Sequence, residues 1–191
     1  MKNQVSIILP NYNSSQTITA TVNSVVKQSY NNWELIIVDD CSNRKTRKIL
    51  TKFKNKKIKI FYLKKNRGAA YCRNLGIKKS NSNFLAFIDS DDLWHKNKLK
   101  LQINYMKTNN YFFTYTKYRT SKKHHLLNYA IELLIKFRLD SCIKKTSIGT
   151  STMIVKRSLT KGIKFPNTLI CEDYYYKCQL LKKVGFAYCY P

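Results

Sequence analysis

The chain has 191 residues, enough to bury one sizeable core, and its 43% apolar and 13% aromatic content excludes a disordered chain. It carries 36 Lys and Arg against 10 Asp and Glu, a net charge of +26, and no run approaches the roughly 18 apolar residues of a membrane span. The six cysteines show no CxxC pair and no Cys/His metal spacing, so they read as thiols rather than as a disulfide framework or a zinc site. Met1-Lys2-Asn3-Gln4 passes straight into a strand-like run with no signal-peptide layout, so a cytoplasmic location is expected.

Val5 to Leu9 reads as a first strand stopped by Pro10, and Ser14 or Ser15 as the cap of a helix carrying Ile18, Val22, Val25 and Val26. Trp33 to Val38 is a second strand, nearly all apolar as a strand covered on both faces should be, and it ends in Asp39-Asp40. A helix over residues 44 to 54 precedes a third strand, Ile58 to Leu63, and Gly68 to Lys79 is the next helix. Phe84 to Ile88 is a fourth strand, followed at once by Asp89-Ser90-Asp91-Asp92. This alternation of strand and helix is the pattern of a mainly parallel, doubly wound α/β sheet. The second half is less regular. Helices are expected over Leu93–Lys107, within Lys122–Arg138 (Leu126, Leu127, Ile131, Leu134, Ile135) and over Cys171–Val184. Strands are expected over Tyr111–Tyr118, Thr150–Val155 and Phe186–Tyr190. The chain stops soon after, as a short or truncated protein would.

The charge admits two causes. One is an anionic partner: nucleic acid, lipid head groups or a phosphorylated substrate. The other is the Lys, Asn and Ile bias of an AT-rich coding sequence. The lysines spread over the whole chain with no single basic block, and no zinc finger or RNP motif is present, so no nucleic-acid partner is expected.

The chemistry-bearing residues gather at the carboxyl ends of the first four strands, where open α/β sheets bind ligands. Three carboxylates at Asp89, Asp91 and Asp92 repel one another unless a cation sits among them, and an all-oxygen set suits Mg²⁺ or Mn²⁺ shared with a substrate phosphate. Asp39 or Asp40 can accept hydrogen bonds from a nucleoside, and the other can cap a helix. Asn66 to Asn74 opens a helix through Gly68, an arrangement that attracts phosphate. There Arg73 faces either ligand or a carboxylate. No GxGxxG or P-loop motif is present. Glu172-Asp173 either supply favourable acid at a helix start or include a general base. His95, His124 and His125 read as surface or packing residues, and Cys41 lacks a base to activate it.

The strings Val5-Ser-Ile-Ile-Leu-Pro-Asn-Tyr-Asn13, Trp33-Glu-Leu-Ile-Ile-Val-Asp-Asp-Cys-Ser42, Asn66-Arg-Gly-Ala-Ala-Tyr-Cys-Arg-Asn74, Phe87-Ile-Asp-Ser-Asp-Asp-Leu-Trp94 and Glu172-Asp173 resemble glycosyltransferase family 2, of the GT-A fold. The resemblance implies one 1–191 domain, with residues 1–94 binding a nucleotide sugar and residues 95–191 forming a smaller, mixed acceptor and catalytic-base half. It implies that Pro10, Tyr12, Asn13, Asp40, Arg73 and Asp91 hold the donor, and that Asp92 with Asp91 holds the metal. Asp89 and Glu172 would support them, and Asp173 would be the base of an inverting transfer. The donor implied is a nucleotide-diphosphate sugar of the UDP type, and the acceptor a glycan or lipid-linked sugar in cell-surface polysaccharide assembly. Peripheral contact with the inner face of an anionic membrane is the matching expectation for the charge. Cys41 replaces a glycine common in the family, and no QxxRW-type motif follows Asp173, which favours single addition. Two other readings stay open from residues alone: a nucleotidyltransferase that makes nucleotide sugars, and a basic nucleic-acid-binding protein.

Overall fold

The structure is a computed structural model that describes residues 5–119, 136–139, 148–168 and 171–191. In chain order it contains β1 (Val5–Asn11), α1 (Ile18–Val26), β2 (Trp33–Asp39), α2 (Arg44–Leu50), β3 (Ile58–Tyr62), α3 (Gly68–Lys79) and β4 (Phe84–Phe87). There follow α4 (Lys98–Thr108), β5 (Phe113–Thr116), β6 (Lys136–Phe137), β7 (Ile154–Lys156), α5 (Glu172–Val184) and β8 (Ala187–Tyr190). Short 3₁₀ turns cover Thr150–Thr152 and Arg157–Thr160.

One sheet runs β3-β2-β1-β4-β7-β5-β8-β6. The first four strands are parallel. β7 is antiparallel to both β4 and β5, β5 is parallel to β8, and β6 is antiparallel to β8. The expected α/β architecture with a mixed second half is therefore present.

Alternation along the strands explains the near-continuous apolar runs. Val5, Ile7 and Leu9 of β1, with Leu35 and Ile37 of β2, pack under α1, α2 and α4 through Ile18, Val22, Leu50, Leu99 and Ile103. Ile8, Leu85 and Phe87 face α3 and α5, against Ala70, Tyr176 and Leu180. Both faces are covered, so neither set of alternate positions is free to be polar. Gly76 of α3 lets the helix lie directly on β1, since a Cβ there would stand 2.6 Å from Ile8 Cγ2.

The structure corrects several boundaries. β1 continues through Pro10 to Asn11 instead of stopping. Its ladder with β4 ends at Ile8 while its ladder with β2 runs to Asn11, so the missing Pro10 N–H removes no bond on the β4 side. Neither Ser14 nor Ser15 caps α1. Thr17 holds the N-cap position without a side-chain bond, and the Ser14 carbonyl accepts from Thr17 and Ile18 N–H in a preceding turn. Asn43 caps α2 by accepting from Thr46 N–H. Residues 150–152 turn before β7 begins. The helix expected within Lys122–Arg138 falls outside the described residues except at its end, where Lys136 and Phe137 form β6. His124, His125 and Cys142 also lie outside them. Among the described residues, no helix is long and apolar enough to cross a membrane.

Candidate active site

The carboxyl ends of β1, β2 and β4 lie side by side because these strands are adjacent and parallel. Hydrogen bonds knit the turns that follow them. Asn11 Nδ2 donates to Asp39 Oδ1 at 2.8 Å and to Ser42 Oγ at 3.2 Å. Asn13 N–H donates to Ser42 Oγ at 2.9 Å, and Asn43 N–H donates to Asn13 Oδ1 at 2.8 Å. Asn13 and Cys41 both adopt left-handed backbone (φ 50° and 61°) that closes these turns. Tyr12 projects from this framework, 53% exposed, with Pro10 half-buried behind it.

Both acids after β2 are used by the chain itself. Asp39 is fully buried and accepts from Arg47 Nε at 3.0 Å. Asp40 is also buried, and its two oxygens accept from Arg67 N–H at 2.7 Å and Gly68 N–H at 2.8 Å. That carboxylate therefore caps the start of α3, reaching across from the adjacent strand. It also raises the Cys72 thiol, which burial above all pushes up to about 12.

The turn after β4 is held from both sides. Thr21 Oγ1 of α1 donates to Ser90 O at 3.0 Å, Asp89 N–H donates to Ser151 Oγ at 2.9 Å, and Trp94 Nε1 donates to Ser151 O at 2.8 Å. Asp91 and Asp92 are exposed on this turn. Partial burial raises the Asp92 carboxyl above its ordinary value. A hydrogen bond with Ser151 opposes the rise, and the neighbouring charges of Asp89 and Asp91 reinforce it. Among the described residues, no three His, Cys, Asp or Glu side chains converge into a metal cage.

Arg73 ties this turn to α5. Its Nη2 donates to Asp89 Oδ1 at 2.7 Å and its Nη1 to Glu172 Oε1 at 2.8 Å. The side chain is only 6% exposed. Burial opposes its charge, but the two carboxylates raise its pKa above the ordinary value. Arg73 is thus a partner for two acids, and its guanidinium lies beneath the acidic turn, 5.4 Å from the Phe165 ring. Glu172 is fixed by that bond, and Asp173 next to it faces another way. Asp173 Oδ2 accepts from Thr150 Oγ1 and from Lys177 Nζ, each at 2.8 Å, and Oδ1 accepts from Tyr174 N–H at 2.8 Å. Burial would raise this carboxyl, but Lys177 first, then Thr150 and the Tyr174 amide, bring it below its ordinary value. Lys177 is itself buried and also donates to Ile148 O at 2.8 Å.

Eight acids fall within the described residues, and six are engaged: Glu34 by Lys59, Asp39 by Arg47, Asp40 by the α3 amides, Asp89 and Glu172 by Arg73, and Asp173 by Lys177. Asp91 and Asp92 are left without a cation partner. In a chain with 36 basic residues, that local surplus of negative charge is the most unusual electrostatic feature of the site. A cleft of about 480 Å³ opens nearby along α3, lined by Lys65, Asn66, Arg67, Tyr71, Asn74 and Phe165 among others.

Sequence reasoning missed Lys177, Thr150 and Ser151. Lys177 was readable, since it stands four residues after Asp173 on a helix, the spacing of a favourable acid–base pair. Thr150 and Ser151 carried no signal, because a 3₁₀ turn brings them under the site from a distant part of the chain.

The comparisons with known proteins cover most of the chain. The profile of "Glycosyl transferase family 2" matches residues 6–163. The chain is 38% identical over 178 residues to the UDP-Glc:alpha-D-GlcNAc-diphosphoundecaprenol beta-1,3-glucosyltransferase WfgD of Escherichia coli, covering 93% of this chain and 70% of WfgD. It is 36% identical over 181 residues to WfaP of the same species, a transferase with the same activity in its name, covering 94% of this chain and 70% of WfaP. The crystal structure of S. aureus TarS 1-349 in complex with UDP-GlcNAc superposes with a TM-score of 0.84 at 26% identity. That match covers 98% of this chain but 56% of the TarS structure, so the chain spans little more than half of it.

Proposed function

Because the chain belongs to glycosyl transferase family 2, we propose that it moves a sugar from a UDP-sugar to a glycan or lipid-linked acceptor in cell-surface polysaccharide assembly. The reading is a metal-dependent transfer with inversion at the anomeric carbon. The observation that carries it is the pair Asp91 and Asp92, the described acids with no cation of their own, on a turn pinned by α1 and by Ser151.

Two exposed carboxylates with no nitrogen or sulfur donor beside them fit Mg²⁺ or Mn²⁺, whose other positions would be filled by diphosphate oxygens and water. Asp92, with Asp91, would hold the ion. Bound there, such an ion neutralises charge on the leaving diphosphate. The chain's own residues supply the rest. Tyr12 and Pro10 offer a ring and an apolar edge to the nucleoside. Asp40 and Asn13 shape the floor around them, since both side chains are spent on holding the turns. Arg73 keeps the acidic turn and α5 in register.

Asp173 would take the proton of the attacking hydroxyl. Its lowered pKa keeps it ionised at neutral pH, and its Oδ2 is anchored by two donors, leaving Oδ1 the less occupied oxygen. A carboxylate this acidic can still serve, because the hydroxyl acidifies as its oxygen bonds to carbon. The names of WfgD and WfaP and the TarS complex support a UDP-sugar donor, and the first two support a diphosphate-linked lipid acceptor. A cytoplasmic enzyme at the inner membrane face would meet both substrates.

The test is transfer from UDP-glucose or UDP-GlcNAc to a diphosphate-linked acceptor with Mn²⁺ present, with the anomeric configuration of the product read by NMR. An inverted product is expected from the wild type. Asp173→Asn should bind donor normally and lose turnover by about 10²-fold or more. A retained configuration, or full turnover in Asp173→Asn, would remove the proposed mechanism.

A further inference from the structure

Resting on the lipid-linked acceptor just proposed, we infer that the outer edge of the sheet at β3, with α2 and the loops beside it, docks the protein onto an anionic lipid bilayer. Residues 41–88 contain 15 Lys and Arg and no Asp or Glu. Along the sequence these cations are interspersed with apolar and polar residues and form no block, but six of them flank the same terminal strand, Lys48 on α2, Lys52, Lys54 and Lys56 before β3, and Lys64 and Lys65 after it. β3 is the terminal strand of the sheet, α2 enters it and α3 leaves it. Lys48, Lys52, Lys54, Lys56, Lys64 and Lys65 are all exposed there. Among the described residues of this stretch, Arg47, Lys59 and Arg73 have a carboxylate partner, and these six do not.

The acids near this edge are already spent, Asp39 on Arg47 and Glu34 on Lys59. Six of the eight described carboxylates are tied inside the fold, and Asp91 and Asp92 lie on the turn after β4. Lysines on an edge strand also block the addition of foreign strands. That purpose accounts for Lys59, but the six cations named above lie on α2 and in the loops, where no strand can add. Tyr62, 44% exposed on β3, adds an amphipathic ring of the kind that settles at a bilayer interface.

Position distinguishes a bilayer from other anions. The loop after β3 carries Lys64 and continues into Lys65, Asn66 and Arg67, which line the cleft along α3. A bilayer resting on the edge would therefore lie beside the mouth of the site, where a lipid-linked sugar must enter. The cations are distributed over a helix and two loops, which suits a broad charged plane. No single element carries them in the register that would follow a nucleic-acid groove.

The test is co-sedimentation with vesicles of phosphatidylglycerol and phosphatidylcholine, against phosphatidylcholine alone, at low and high salt. Two triple variants of equal charge are compared: Lys48→Glu/Lys52→Glu/Lys56→Glu on the edge, and Lys107→Glu/Lys164→Glu/Lys182→Glu away from it. Their Lys→Gln counterparts serve if a reversal impairs folding, as judged by melting temperature. The edge variant should lose at least about tenfold in partitioning to the anionic vesicles, with the distant variant losing far less. Wild-type binding should fall steeply with salt. Equal losses in the two variants would assign the effect to overall charge and overturn the inference, as would absence of vesicle binding. Loss of duplex-DNA binding with vesicle binding intact would overturn it as well, in favour of a nucleic acid. Metal-dependent UDP-sugar binding, measured without vesicles, should be unchanged in the edge variant, so the catalytic reading stands or falls separately.

Discussion

Lys177 illustrates how much of the candidate site depends on single side chains outside the recognisable strings. Its buried ammonium lies 2.8 Å from Asp173 Oδ2 and is the main influence holding that carboxyl down. If Asp173 is the base, activity is lost as pH falls through its pKa. Lys177→Met raises that pKa, so the acid limb of the kcat profile should move to higher pH. Lys177→Arg, which keeps the charge, should largely restore it. A uniform drop in kcat with an unmoved limb would show that Lys177 only supports packing. The same depressed pKa contributes stability that is present above the unfolded value and is lost as pH falls through the folded one. Arg73 gives a second prediction. Its two carboxylate bonds join α3, the β4 turn and α5, and Arg73→Met leaves Asp89 facing Glu172. A stability loss of about 2–3 kcal/mol in denaturant titration is expected, since removing one member leaves the others unbalanced. Arg73→Lys should recover little, because one ammonium cannot span both acids as a fork does. A variant as stable as the wild type would contradict the bridge. The acids themselves were legible as residue types at strand ends. Which of them face the crevice was not, because a residue's type does not say whether a neighbouring strand has claimed it, as the α3 amides claim Asp40.

At the scale of elements, every strand and helix of the first half was readable in order, although the helix expected over residues 44 to 54 ends at Leu50. β1, β2 and β4 are buried on both faces, so their sequences are apolar runs with no competing period, and α3 begins and ends at the expected positions. Errors came where tertiary context overrode local rules. Pro10 stays in β1 because β4 has already ended beside it, and the residues before β7 turn because Ser151 and Thr152 must reach under Trp94 and Lys98. Lys98 itself is buried against the Trp94 ring, and burial pulls its ammonium down to about 7. Its ammonium donates to Gln102 Oε1 at 2.8 Å and has no carboxylate partner, and no sequence rule would place a lysine there. α3 also rests on a glycine whose role periodicity does not reveal. Gly76→Ala should cost about 1–3 kcal/mol despite better helix propensity, because Ile8 is branched and buried and cannot yield. In a chain of this size that lowers the melting temperature by about 2–4 °C per kcal/mol. An unchanged or raised melting temperature would mean that α3 can lift from β1 without loss.

At the scale of the whole molecule, charge is segregated among the described residues. Cations crowd the β3 edge, most acids are neutralised internally, and a residual negative spot survives at Asp91 and Asp92. The net +26 was visible at once in the composition, but its arrangement was not, because the pairing of acids with distant arginines and lysines exists only after folding. The central claim is that this spot holds a divalent ion bridging a nucleotide diphosphate. Its most direct test is the change in melting temperature produced by UDP with and without Mn²⁺, in the wild type and in Asp92→Asn. The wild type should be stabilised by UDP far more when Mn²⁺ is present, and GDP and CDP should do less. Asp92→Asn should fold normally, since it removes a charge repelled by Asp89 and Asp91 and the amide can still hydrogen-bond Ser151, and it should lose the metal-dependent increment entirely. A full Mn²⁺-dependent increment in Asp92→Asn, or none in the wild type, would contradict the assignment.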